Sequence, residues 1–152
     1  MTGRMQMLRQ FLVGAAVSAC NIMIHALVMI AVVRLLKTAD TKDASWPWLF
    51  LAFVMVATVS VLTFGHACEV IVWSLCYALV GAAPAGADRV YFAFVNYTTL
   101  GYGDVIPVQR WQLLGPITAM NGVLMFGWST AVIFEVLRRT MRRQFAAAPK
   151  LR

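Results

Sequence analysis

Three stretches of this chain, residues 8–36, 46–80 and 116–137, are almost unbroken hydrophobe, and each exceeds the ~20 residues that cross a bilayer core of about 30 Å. A chain so patterned has to place those stretches in lipid as helices. The composition agrees: 61% of residues are hydrophobic and 12% are charged, whereas a soluble domain carries roughly a quarter charged residues. The expectation is an all-α, multi-pass membrane protein.

The formal net charge is +7, and much of the excess lies after Leu137, in Arg138, Arg139, Arg142, Arg143, Lys150 and Arg152, with no acid among them. Beside a membrane helix such a tail reads as a cytoplasmic end attracted to anionic lipid, not as a nucleic-acid arm. Cys20, Cys68 and Cys76 sit inside apolar runs and read as small buried hydrophobes, not as a disulfide framework. Arg4 and Arg9 precede the first run, which is too long for a signal core and is expected to be retained.

In the first run Gly14 and Ser18 are small residues at four-residue spacing, suited to close helix packing. Arg34 and Lys37 end it, and Asp40, Lys42 and Asp43 mark a polar connection, so residues 1–45 make an N-terminal unit. The stretch 46–80 opens on Trp46-Pro47-Trp48, aromatics for an interface with a proline for a first helical turn. It contains Gly65-His66 near its middle. One tilted helix of roughly 50 Å is preferred over two segments hinged at Gly65, because a hairpin there has too few polar groups to satisfy its backbone. Residues 81–87 are a small, Gly/Pro-punctuated loop, and Asp88 is the expected N-cap of a helix over 88–98 that is too short to span. It must be re-entrant. Pro107 and Trp111 then lead into a last helix over 111–137, followed by the basic tail 138–152.

Between the short helix and the last one lies Thr98-Thr99-Leu100-Gly101-Tyr102-Gly103-Asp104. A potassium ion stripped of water needs a stack of oxygen ligands, and a chain supplies one only by turning successive carbonyls to one side. Gly101 and Gly103 permit the left-handed dihedrals that this requires.

From Ala87 to about Leu137 the sequence resembles the pore module of potassium channels: short pore helix, Thr-Thr-Leu-Gly-Tyr-Gly-Asp motif at 98–104 with the filter at 99–104, a proline three residues on, and an inner helix. The helix ending near Val80 resembles the outer helix of that module, so 46–137 is similar to a bacterial two-transmembrane channel with an added N-terminal helix. The resemblance implies K+ sites at the carbonyls of Thr99, Leu100, Gly101 and Tyr102, with the Thr99 hydroxyl, and Gly103 completing the ion-binding stretch. Thr98 and Asp104 support it. The Tyr102 ring is implied to pack behind the filter against Tyr91 and Phe92. Leu100 replaces the commoner valine, and Val95 stands where some bacterial channels have a glutamate bonded to the filter aspartate; Tyr91 is the candidate replacement partner for Asp104. Because one chain supplies one loop, the pore is expected to be a homotetramer.

Val123, Phe126, Thr130 and Phe134 share a face of the last helix and are candidates for cavity lining, with Phe134 as an apolar constriction; interhelical packing is the equal alternative. Gly122 and Gly127 are hinge or packing-notch candidates. His25, His66 and Glu69 are ionisable groups within the membrane and so candidates for proton or metal sensing, against a reading as polar glue. Glu135 is one turn from Arg138 and Arg139 and reads as a local ion pair.

No stretch has a basic residue at every third position, so a voltage sensor is not expected, and the tail after Leu137 leaves no space for a ligand-binding domain. No nucleophile, metal or phosphate constellation lies outside the apolar runs, so catalysis is not expected. The reading is a K+ channel subunit of the plasma membrane, with K+ as permeant ion, the bilayer as partner and no cofactor. The alternatives are a non-conducting structural or sensing module and a weakly selective cation channel.

Overall fold

A computed structural model describes residues 2–38 and 46–147. The polar connection expected at 39–45 and the end of the basic tail at 148–152 lie outside the described residues. The elements are α1 (Thr2–Thr38), α2 (Pro47–Val80), α3 (Arg89–Tyr97), a 3-10 turn (Gln109–Trp111) and α4 (Leu114–Ala147). Three helical stretches, Gly3–Arg34, Pro47–Val80 and Gln109–Arg143, are long and apolar enough to cross a membrane.

Local chemistry sets most boundaries. Pro47 opens α2, where its missing N–H and fixed φ cost nothing. Gly81 closes it at φ 64, and its N–H and that of Ala82 both return to the Tyr77 carbonyl. Asp88 caps α3 by accepting from the Val90 and Tyr91 N–H groups at 2.8 and 3.2 Å. The last helix begins at Leu114, later than the expected 111, because residues 109–111 form the separate 3-10 turn. It also continues to Ala147 instead of ending at 137, since residues 138–147 are good helix formers and the next proline is Pro149.

α2 runs unbroken through Gly65, which makes a contact and not a hinge. A Cβ there would lie 2.9 Å from the Val28 Cγ2 on α1. Gly14 plays the same part on α1, where a Cβ would lie 2.7 Å from the Ile117 Cγ2 on α4. Small residues let the long helices approach, the main route to packing energy in lipid, where apolar burial between helices is no gain over the acyl chains.

α1, α2 and α4 pack on one another, and α3 is held between α2 and α4. One core gathers Val70, Trp73, Tyr77, Phe92, Ala93, Tyr97, Trp111 and Leu114 around α3. A second joins Met29, Val32, Val54, Leu62 and Val136. The start of α1 meets the start of α4: Gln6 donates to the Arg110 carbonyl at 3.2 Å, and Gln10 accepts from the Leu113 N–H at 2.8 Å. The chain's beginning therefore shares one side of the bundle with the end of α2 and the loop before α4. The end of α1, the start of α2 and the end of α4 share the other. Phe53, Phe64 and Leu79 are among the large apolar side chains left exposed on the outer surface, as lipid-facing positions require.

Candidate functional site

The end of α3 passes directly into the loop. Its last carbonyls are taken by the N–H groups that follow: Thr98 bonds Phe94, Thr99 bonds Asn96 and Leu100 bonds Val95, at 2.9, 3.1 and 3.0 Å. The Thr98 hydroxyl also donates to the Phe94 carbonyl at 2.7 Å, and the Thr99 hydroxyl donates to the Thr98 carbonyl at 2.6 Å. Beyond this anchor the backbone alternates. Thr99, Gly101 and Gly103 have φ of 60, 56 and 78°, while Leu100 and Tyr102 between them do not enter the positive region.

Alternating left-handed dihedrals are the backbone pattern by which a chain can turn consecutive carbonyls to one side, and the two glycines make that pattern accessible. Thr99 is the one non-glycine at positive φ among the described residues, and a β-branched residue there is strained by about 1–3 kcal/mol. Residues 98–104 are all exposed in the single chain.

Asp104 is held from α3, where the Tyr91 hydroxyl donates to its Oδ2 at 2.6 Å. Donation to that carboxylate pushes the Tyr91 phenol up from its ordinary value. On the alkaline side the bond is therefore lost only as pH rises through that elevated value. Val95 is buried and Phe92 wholly so. The expected packing of Tyr102 on Phe92 does not occur within the chain: Phe92 faces Tyr77, with ring centroids 4.9 Å apart, and Tyr102 stays 70% exposed. Phe92 lies on the core side of α3, so its ring is consumed by α2.

On α4, Val123, Thr130 and Phe134 lie on one exposed face with Gly127, at which a Cβ would meet nothing within 4 Å. Phe126 departs from that group. It is half-buried, 4.8 Å from the His66 ring and 5.4 Å from the Tyr97 ring, so it is turned toward the packed interior. Gly122 is a notch: a Cβ there would lie 2.0 Å from the Tyr97 carbonyl oxygen. Glu135 pairs with Arg138 and Arg139 at 2.6 and 2.5 Å, one turn on, as a local exposed pair.

Behind the loop the structure brings His25, His66 and Glu69 together. Glu69 is wholly buried and accepts from His25 Nδ1 at 2.8 Å, from His66 Nδ1 at 3.2 Å and from the Tyr97 hydroxyl. Ser129 of α4 meets His66 Nε2 at 2.9 Å and His25 Nε2 at 3.4 Å. Asn21 donates to the Asn121 Oδ1 at 3.0 Å, as does the Trp73 indole, and Asn21 also reaches the Glu69 carbonyl at 3.3 Å. The i, i+3 spacing of His66 and Glu69 marks that pair in the sequence. Tyr97, Ser129, Asn121 and Trp73 carry no such signal, because each comes from a different helix or a different turn. The one mark on Tyr97 is its place next to the loop.

The ion channel family model matches residues 65–139. No curated protein and no solved structure matches the chain significantly. The matched residues take in the second half of α2, the capped short helix, the alternating loop and most of α4. The chain thus carries, in residues 65–139, an ion channel domain.

Proposed function

We propose that the chain is one subunit of a homotetrameric, potassium-selective channel of the plasma membrane, conducting passively through a filter built from residues 99–104. The observation that carries this reading is the alternation of left-handed dihedrals at Thr99, Gly101 and Gly103 in an exposed loop at the end of α3. Strain at Thr99 persists only where surroundings and function hold it. The carbonyls of Thr99, Leu100, Gly101 and Tyr102 are the ion ligands. Four copies around an axis close the ring that one copy leaves open, and the C-terminal end of each α3 adds the negative pole of a helix dipole near the permeant cation.

In the same arrangement the exposed face of Val123, Thr130 and Phe134 lines the cavity, with Phe134 as its apolar constriction. The end of α4, with Arg138, Arg139, Arg142 and Arg143, is cytoplasmic and meets anionic lipid. The beginning of α1 is then outside, on the side of the filter mouth, because α1 and α4 start together.

Ion flux in liposomes tests the selectivity. K+ flux is expected to exceed Na+ flux by at least about ten-fold, equivalent to ~1.4 kcal/mol of discrimination. Equal fluxes make the chain a weakly selective cation channel, and no flux of either ion makes it a non-conducting module.

Asp104 gives a second test at the mouth. With Val95 in place of an acidic partner, Tyr91 is the side chain that holds the aspartate. Tyr91→Phe is expected to leave assembly intact and to speed the decay of current during sustained conduction. Decay kinetics identical to those of the parent would show that the bond does not steady the filter.

A further inference from the structure

The buried cluster behind the loop is not used by ion conduction, and its chemistry is specific. Glu69 is a wholly buried carboxylate on a membrane helix, and its ion-pair partners among the described residues are both histidines. A carboxylate in that setting needs a positive charge close by. Its four neighbours come from four helices: His25 from α1, His66 from α2 itself, Tyr97 from α3, and Ser129 from α4 behind the two imidazoles.

One donor atom from each of His25, His66 and Glu69 lies within 4.8 Å of the others. His25 Nδ1 lies 2.8 Å from Glu69 Oε1, His66 Nδ1 lies 3.2 Å from Oε2 and 3.0 Å from the Tyr97 hydroxyl, and that hydroxyl lies closer still to Oε2. A tetrahedral zinc with bonds of about 2.0–2.1 Å holds neighbouring donors roughly 3.3–3.5 Å apart. The His66–Glu69 pair is already near that spacing, while His25 and the Tyr97 hydroxyl would each have to draw back from the carboxylate to admit the ion.

The imidazoles add a second, independent sign. Both turn Nδ1 to the carboxylate and Nε2 to the single Ser129 hydroxyl. With both rings neutral and their protons on Nδ1, two Nε2 lone pairs face one hydroxyl proton and one goes without, so the cluster calls for a cation, either one imidazolium proton or a metal. With a cation on both Nδ1 atoms, each Nε2 carries the N–H and Ser129 Oγ accepts from both through its two lone pairs. An outer oxygen that fixes the tautomer of a ligating histidine is the usual support of a metal site.

We propose that His25, His66 and Glu69, with the Tyr97 hydroxyl as fourth donor, form a site for a transition-metal ion of the zinc class. The site joins α1 and α2 to the end of α3 and stands apart from the potassium reading. His66 keeps 16% of its side chain exposed, so the site is not sealed. Its occupancy would fix Tyr97, two residues before the filter, and would tie the N-terminal helix to the pore helix.

The test is the metal content of the purified full-length chain in detergent, kept in K+ throughout so that the filter is never ion-depleted. After exposure to micromolar Zn2+ and removal of free metal, about one ion per chain is expected to remain, and Co2+ in its place is expected to show the visible bands of a four-coordinate site. His25→Gln and Glu69→Gln are each expected to weaken binding by at least about ten-fold, and Ser129→Ala, which keeps every ligand, by roughly 10–100-fold. Binding in Glu69→Gln as tight as in the parent, or no bound metal in a parent that elutes as one oligomer, overturns the proposal and leaves a hydrogen-bonded polar core. Neither result bears on K+ flux, which is read separately.

Discussion

Gly101→Ala is expected to abolish K+ flux while leaving helix content and oligomer size unchanged. The residue sits at φ 56°, and a Cβ added there meets only the Thr99 carbonyl oxygen, at an ordinary 3.8 Å. Space is therefore not the obstacle. The obstacle is the dihedral, since an L-residue in the left-handed region costs about 1–2 kcal/mol. In a tetramer the cost recurs in every subunit, for a total of roughly 4–8 kcal/mol. The cheapest relief is rotation of the peptide, which turns a carbonyl away from the axis in all four chains at once. A dehydrated ion then lacks a full ring of ligands. Gly86→Ala is the matched control, because Gly86 has φ 80° with nothing near its missing Cβ and lies outside the filter. It carries a similar dihedral cost, and K+ selectivity is expected to survive it. Parent-like flux in Gly101→Ala would remove the filter from residues 99–104.

Gly122→Ala is expected to fail differently, through the scaffold. Its Cβ would lie 2.0 Å from the Tyr97 carbonyl oxygen and 3.0 Å from the carbonyl carbon, both backbone atoms. Tyr97 has little freedom to yield. Its hydroxyl bonds Glu69, its ring meets Phe126 edge-on at 5.4 Å, and its position is buried. α4 must then move off α3, and the cost is expected to reach or exceed the ~3 kcal/mol upper range of ordinary overpacking. Thermal unfolding in detergent should show a large loss of stability, accompanied by loss of the assembled oligomer. Gly127→Ala is the contrasting variant, five positions along the same helix, where a Cβ meets nothing within 4 Å. There the gain in helix propensity, up to ~1 kcal/mol, should leave stability unchanged or raised. A Gly122→Ala protein as stable as the parent would mean that α3 and α4 do not approach this closely.

Gly101 and Gly122 illustrate how unevenly the site is written in the sequence. The left-handed dihedral of Gly101 is legible from the residue order alone, because it depends only on neighbours in the chain. Gly122 and Gly127 are indistinguishable at that level, since both are glycines in the same apolar helix and only the facing element separates them. Phe126 and Phe134 divide in the same way. Periodicity puts both on one face, but Phe126 stands at its edge and is drawn toward His66 and Tyr97. Within the single chain Tyr102 does not reach Phe92 for a related reason, as Phe92 is satisfied by Tyr77. The Tyr91 pairing holds because Tyr91 lies on the same short helix that leads into the loop, a few turns of backbone from Asp104.

By itself, the sequence determined what local rules determine: three helices long and apolar enough to span a membrane from the length of apolar runs, a capped short helix from Asp88, and left-handed dihedrals at Gly101 and Gly103 from the spacing of two glycines. These follow from the solvent demanded by a side-chain pattern and from the dihedrals open to a single residue. Only the tertiary structure decided that Gly65 is a contact for Val28, that α1 and α4 begin on the same side, and that His25 meets Glu69 across 44 positions of sequence. Those facts depend on which helix faces which, and in lipid that choice rests on small-residue notches and buried polar contacts, neither of which leaves a period in the sequence.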